Sequence, residues 1–176
     1  YKIRIVANGG KATDVWGRRM HCYDMYVLPM TQGGMRTIIG ASVIPSDEDD
    51  EADGEREVFQ FDIDGAYLQA DRLPGETWVI PPKLMYSKEM EGMKQPACPL
   101  HHPLYGEGDA GAACTSHLHR RLIAQGWRQV DSCGGETLYA RKSALLGMYV
   151  DDGLLGGPRR QCLQYVRELG TVINLK

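Results

Sequence analysis

The sequence predicts an α+β fold, a small antiparallel sheet with helices on one face. Three observations predict it. Thr137 to Gly156 reads as two or three consecutive antiparallel strands, "TLYAR", "ALLGMYV" and "LLG". "EVFQFDIDGAYLQA" is strand-like from Val58 to Asp64, with Val58, Gln60 and Asp62 on one face and Phe59, Phe61 and Ile63 on the other. Three further stretches place apolar residues at helical spacing.

Along the chain, "YKIRIVA" alternates and is rich in β-branched residues, so it reads as a strand. "GRRMHCYDMYVLP" fits either helix or strand. "TQGGMRTIIGASVI" sets Met35, Ile38, Ile39, Ser42 and Val43 at helical spacing behind Thr31, a good cap. "LPGETWVIPP" reads as a turn, a short strand and a proline stop, and "SKEMEGMKQPACPLHHP" as loop. Asp109 to Gly126 predicts a helix with Leu118, Leu122 and Ile123 on one face and Gly126 at its end. "PRRQCLQYVRELG" predicts another, with Pro158 near its start, Gly170 past its end, and Cys162, Val166 and Leu169 as the buried stripe. "TVINL" reads as a final strand. No internal repeat is visible.

Composition bounds the function. At 176 residues the chain can build one core. No apolar run approaches the roughly 20 residues of a membrane span. The five cysteines, Cys22, Cys98, Cys114, Cys133 and Cys162, are odd in number and form no C-x-x-C, which fits a reducing compartment better than a disulfide framework. The first residue is Tyr1, so the chain reads as a segment of something longer. "DEDDEADGERE", 47–57, holds eight acids and one arginine, a net of −7. The whole carries −3, so the remainder stands at +4. The acidic run reads as a solvated insert. The mildly basic remainder permits a nucleic-acid partner without arguing for one.

The chemistry sits in "LLGMYVDDGLLGG", where Asp151 and Asp152 stand side by side inside the most apolar run of the chain. Asp-Asp-Gly is good turn chemistry, and two solvated aspartates at a hairpin tip would explain it. The alternative is a cation site. A buried carboxylate is costly unless it is paired, hydrogen-bonded or metal-bound, and a tight turn lets both acids reach one point. A third carboxylate is available in Asp62, which follows two aromatics on a strand that should be largely buried; Asp64, before Gly65, should be exposed. Three aspartates from neighbouring strands suit Mg²⁺, which takes hard oxygen ligands. Two such ions about 4 Å apart activate a 3′-hydroxyl and neutralise a triphosphate in nucleotidyl transfer. That use puts Asp62 and Asp151 on adjacent strands.

"MYVDDGLLGG" together with "FQFDIDGAYLQA" resembles the reverse transcriptase of copia-type LTR retrotransposons, and the resemblance covers nearly the whole chain. "YKIRIVANGG" is similar to the family's basic-then-apolar fingers segment. "FDIDGAYLQADRLPGETWVIPP" is similar to its first catalytic motif and the stretch after it. "PLYGEGDAG" and "GWRQVDSCGGETLYAR" resemble the two segments that precede the catalytic hairpin. Four motifs in order are far more specific than YVDD alone.

The resemblance implies a right-hand polymerase palm with part of the fingers. Residues 1–57 would be fingers-like with the acidic insert at 47–57, and 58–176 would be palm. It implies an RNA-directed DNA polymerase acting on a template–primer duplex and dNTPs. Mg²⁺, or Mn²⁺, would be held by Asp62, Asp151, Asp152 and the carbonyl of Ile63. Ile63, Asp64, Gly65, Ala66 and Tyr67 would line the nucleotide pocket, with the Tyr67 ring excluding a 2′-hydroxyl. Lys2 and Arg4 would meet the triphosphate, Asp109 the nucleotide, and Tyr149 the primer end. It further implies integrase upstream, and thumb and RNase H downstream, in a polyprotein of cytoplasmic particles and the nucleus. Without a thumb the segment alone should show little processive synthesis. The chain departs from the family pattern at Asp109, where glutamine is usual, and at Cys114, where tryptophan is usual. Those departures favour a second class of function, a catalytically degenerate nucleic-acid-binding remnant. Separately, Cys98, His101, Cys114 and His117 read C-x2-H-x12-C-x2-H, close to structural zinc spacing, although His102 and His119 nearby make coincidence easy.

Overall fold

The computed structural model describes residues 5–14, 16–20, 29–44, 55–71, 76–130 and 137–176. The strands among them are β1 (Arg56–Asp62), β2 (Trp78–Val79), β3 (Cys98–Pro99), β4 (Arg128–Gln129), β5 (Leu138–Arg141), β6 (Ala144–Tyr149) and β7 (Asp152–Pro158). The helices are α1 (Gln32–Ala41), α2 (Ala66–Gln69), α3 (Ala110–Ala124) and α4 (Arg159–Gly170). Five strands form one antiparallel sheet in the order β1-β7-β6-β5-β4, and β2 pairs with β3 in a separate ribbon. The α+β class is as the sequence predicts.

Alternation sorts the sheet into two faces. Phe61, Leu155, Leu146, Met148 and Tyr139 look toward one side and build the larger core with Leu118 and Leu122 of α3 and Cys162, Tyr165 and Leu169 of α4. Leu138, Leu145 and Leu154 look the other way and meet Met30 and Ile38. Helices therefore cover both faces, not one. The sequence obscures this because Gly147 and Gly156 interrupt the leucines of the second face. A Cβ on Gly147 would stand 2.7 Å from Ile38 Cδ1, and one on Gly156 would stand 2.1 Å from Ser42 Oγ. The missing side chains make a trough into which Ile38, wholly buried, descends.

Thr31 caps α1 as predicted, its hydroxyl accepting the Gly34 N–H at 3.2 Å. The buried stripe of α1 is narrower than its spacing suggests. Gly34, Ile38 and Ser42 are buried, whereas Met35, Ile39 and Val43 are exposed, because the trough admits only one line of contacts. On α3, Leu118 and Leu122 are buried and Ile123 is exposed. On α4, Cys162 and Leu169 are buried with Tyr165, and Gly170 is the last helical residue instead of lying beyond it.

Three other expectations change. Ile5 to Ala7 lies outside any strand; the Ala7 N–H donates to the Tyr105 carbonyl at 2.6 Å. "TVINL" forms no strand and makes a single bridge, Ile63 to Leu175, just past the end of the edge strand β1. The acidic run overlaps the sheet: Arg56 and Glu57 belong to β1, paired with Pro158 and Gly157. Residues 47–54 of that run lie outside the described part, as do Lys2, Arg4, Cys22 and Cys133. No helix among the described residues is long and apolar enough to cross a membrane.

The trough generates a paired prediction. Gly156→Ala must overpack Ile38 and Ser42 and should cost about 1–3 kcal/mol in urea unfolding. Gly40→Ala, whose new methyl meets nothing within 4 Å, should stabilise α1 by up to about 1 kcal/mol. A second prediction concerns acid stability. Arg141 reaches from β5 to the Glu168 carboxylate, and with Gln164 it holds that carboxyl below its usual range. A depressed folded value contributes stability above the unfolded glutamate value of about 4.3, lost as pH falls through the folded one. Arg141→Met should therefore flatten the acid limb of a melting-temperature profile below about pH 4.5.

Candidate active site

The β6–β7 hairpin brings the paired aspartates to the end of the sheet. Tyr149 and Asp152 form the last pair, so Val150 and Asp151 alone make the loop. Two-residue loops favour turns whose twist matches the strands, and these require a positive φ at the first central residue. Val150 supplies it at +59°; Asp151 is not among the positive-φ residues. Glycine normally occupies that place, and a β-branched residue there is strained by about 1–2 kcal/mol. The surrounding bonds hold the strained turn. The Asp151 carbonyl accepts the Ile63 N–H at 2.8 Å, and Asp152 lies directly opposite Asp62 across β1 and β7.

Directly opposed residues of antiparallel strands share a face. Asp62, Asp152 and Tyr149 thus form a row across three strands on the α1 side of the sheet. Asp62 and Asp152 have no cationic or hydrogen-bonding side-chain partner among the described residues. Opposed like charges destabilise a strand pair. Asp62 is half-buried and Asp152 exposed, so solvent relieves part of that repulsion.

After Asp62 the chain turns through Gly65, at φ +62°, into the single turn of α2. The C-terminal residues lock this bend. The Asp64 N–H donates to the Asn174 carbonyl at 3.0 Å and the Lys176 N–H to the Asp62 carbonyl at 2.8 Å. Gln69 closes the loop from within: its Nε2 donates to the Asp64 carbonyl at 2.6 Å, and its Oε1 accepts the Asn174 N–H at 2.8 Å. Ile63 is buried in the main core and Asp64 is exposed, as expected for Asp64. Ile63 and Asp64 give their amide N–H groups to the Asp151 and Asn174 carbonyls.

Tyr67 leaves α2 toward the hairpin tip. Its ring meets that of Tyr105 edge to face, with centroids 4.6 Å apart and planes at 78°. Burial pushes its phenol up, and the charges of Cys114, Asp151 and Tyr105 add to the effect. Burial also pushes the Cys114 thiol to about 11, with Asp151 contributing. Asp151 is therefore close enough to bear on both α2 and α3. Asp109 precedes α3, and its carbonyl accepts the Ala113 N–H at 2.9 Å; its side chain does not cap the helix.

The structure thus brings Asp62, Asp152 and Tyr149 into one row and sets Asp151 at its end, toward Tyr67. It differs from the expected pairing in one respect. Asp152, not Asp151, is the strand partner of Asp62, because the loop holds two residues and Asp151 falls within it. No group of three or more His, Cys, Asp or Glu side chains gathers around a common point among the described residues. The donor chemistry still suits a hard cation: carboxylate oxygens from adjacent strands, with no lysine or arginine among the described residues neutralising Asp62 or Asp152. Cys98, His101, Cys114 and His117 do not gather either. The buried His117 instead contacts the Asp71 carboxylate through Nδ1 at 3.2 Å, and His102 Nδ1 lies 3.2 Å from the Ala70 carbonyl.

Sequence reasoning missed Gln69, Asn174 and Tyr105. The first two act over 105 positions of sequence, and no local pattern marks them. Tyr105 sits inside a motif already singled out, and its aromatic character was the available signal. Comparison with protein-family models, curated proteins and solved structures gave no match.

The strained turn makes a prediction. Val150→Asn places a residue tolerant of the left-handed region and should raise stability by about 1 kcal/mol in urea unfolding. An equal loss instead would mean that the Val150 side chain contributes packing that outweighs its backbone strain.

Proposed function

We propose that the chain is the fingers-and-palm part of an RNA-directed DNA polymerase like the reverse transcriptases of copia-type retrotransposons. One observation carries the reading beyond motif order: the cross-strand pairing of Asp62 with Asp152, with the Asp151 carbonyl on the Ile63 N–H. Residues 62 and 151 are far apart in sequence, and a fold unrelated to the motifs has no reason to join them.

Asp62, Asp151 and Asp152 would hold Mg²⁺, with the Ile63 carbonyl as a further oxygen donor. Bound there, the ions supply a deprotonated 3′-hydroxyl and a neutralised triphosphate. The carboxylates position the reacting groups at the tip of the sheet. Tyr149, on the same face and beside Asp152, supports the primer end. Tyr67 stands where a sugar edge would pass and excludes a 2′-hydroxyl by bulk. With the Ile63 and Asp64 amides engaged, those of Gly65, Ala66 and Tyr67 are left to meet phosphate oxygens. Asp109, a carboxylate, would weaken nucleotide binding unless a cation stands between; Lys2 and Arg4 are the basic residues the resemblance assigns to that task.

The second reading is a non-catalytic nucleic-acid-binding remnant. The observation favouring it is the absence of a gathered three-carboxylate group among the described residues. Single-nucleotide insertion separates the two. With the protein in excess over a labelled template–primer and Mg²⁺ or Mn²⁺ present, the chain should add the templated dNTP. Asp151→Asn should lower that rate by roughly a thousandfold, the scale of several kcal/mol of metal-borne stabilisation. Template–primer retention without insertion, at every metal concentration, selects the remnant.

A further inference from the structure

The Tyr105–Gly106 turn touches two parts of the molecule that otherwise have little to do with each other. On one side it receives the N-terminal segment. The Ala7 N–H donates to the Tyr105 carbonyl at 2.6 Å, and the Gly9 N–H donates to the Gly106 carbonyl at 3.0 Å. The backbones are in direct contact: a Cβ on Gly106 would stand 2.1 Å from the Ala7 oxygen, and one on Gly9 would stand 2.2 Å from the Gly106 oxygen. Gly106 has φ +85°, so glycine is required there for its conformation as well as its size. On the other side, the Tyr105 ring meets Tyr67 edge to face at 4.6 Å.

Tyr67 needs such a support. It belongs to a helix of four residues, too short to hold a side chain by its own cooperativity. Its ring is only half-buried, and its other named neighbours are the small Cys114 and the Asp151 charge. An edge-to-face contact is directional, so it restricts where the Tyr67 ring stands. Exclusion by bulk demands that restriction, because a misplacement of about 1 Å costs orders of magnitude in an oriented site.

We propose that Tyr105 is a positioning residue for sugar selection: docked from behind by residues 7–9, its ring fixes the Tyr67 ring at the tip of the Asp151 hairpin. The inference rests on the polymerase reading above. It adds that the seating of the N-terminal segment on Tyr105–Gly106 and discrimination against ribonucleotides are coupled through a single aromatic contact.

The test is single-nucleotide insertion by the chain opposite template C, with dGTP and GTP titrated separately. Tyr105→Leu should reduce the preference for dGTP about three- to tenfold, the worth of one aromatic edge-to-face contact. The change should appear as a lower KM for GTP, with kcat for dGTP nearly unchanged. Tyr105→Phe keeps the ring and should keep the preference. Ala7→Pro removes the N–H given to Tyr105, keeps both rings in the sequence but loosens the seat of one, and should move the preference in the same direction by less. Proton NMR of the Tyr67 ring gives a readout independent of turnover. Its shifts should move in Tyr105→Leu and stay in Tyr105→Phe. An unchanged dGTP preference in Tyr105→Leu, beside a collapsed one in Tyr67→Ala, overturns the role of Tyr105. Unmoved Tyr67 shifts in a folded Tyr105→Leu or Tyr105→Met variant do the same. Unchanged preference in Tyr67→Ala, or no insertion by the unaltered chain, overturns the polymerase reading itself.

Discussion

The Phe61 ring lies over the backbone of Gly153, and the rest of the site depends on that contact. The two residues are directly opposed in β1 and β7, and a Cβ at 153 would stand 2.2 Å from the ring. Only glycine admits the ring there. A slip of one residue would set Phe61 against Asp152 or Leu154 and turn the β1 side chains to the wrong faces. The register that brings Asp62 opposite Asp152 is therefore set one residue away, by an apolar contact in the core. The carboxylates contribute nothing to that pairing; they oppose it. Apolar packing below the site holds charges together above it, and this is the arrangement a cation site requires before its cation arrives.

The same division explains the turn. Val150 carries a backbone conformation that a β-branched residue disfavours, while both flanking strands are pinned: β7 to β1 along its whole length, and β6 to β5 and β7. Local strain persists where surrounding structure over-determines it. The strain sits between Tyr149 and Asp151, within the residues given roles in catalysis. A relaxed two-residue turn with glycine first would cost less and hold Asp151 less firmly.

Glycine acts throughout this fold by what it leaves out. Gly147 and Gly156 open the trough for Ile38, Gly153 the space under Phe61, and Gly106 the approach of Ala7. α1 is thereby drawn onto the face that carries Asp62, Asp152 and Tyr149, and its N-terminal end is tied near the hairpin tip by the bond from the Met30 N–H to the Met148 carbonyl at 2.8 Å. The second face of the sheet is a helix seat at one end and a row of carboxylates at the other.

Period and punctuation determined much from the sequence alone. The three strands from Leu138 to Pro158, the alternation of β1, the Thr31 cap and the bodies of α3 and α4 are local properties: side-chain spacing, turn residues and capping groups act within a few positions. Carboxylate chemistry and motif resemblance point from Asp62 to the hairpin, but they put Asp151 on the strand that Asp152 occupies. Tertiary structure decided what depends on contacts distant in sequence. It put α1 on the second face, because the seat for Ile38 between Gly147 and Gly156 forms only when distant strands pair. It reduced "TVINL" to one bridge just past the end of β1. It recruited Gln69 and Asn174 to close the Asp62–Tyr67 bend, and Tyr105 to meet Tyr67, because a side chain's partner tens of residues away is set by the packing of the whole and leaves no mark on its neighbours in the chain.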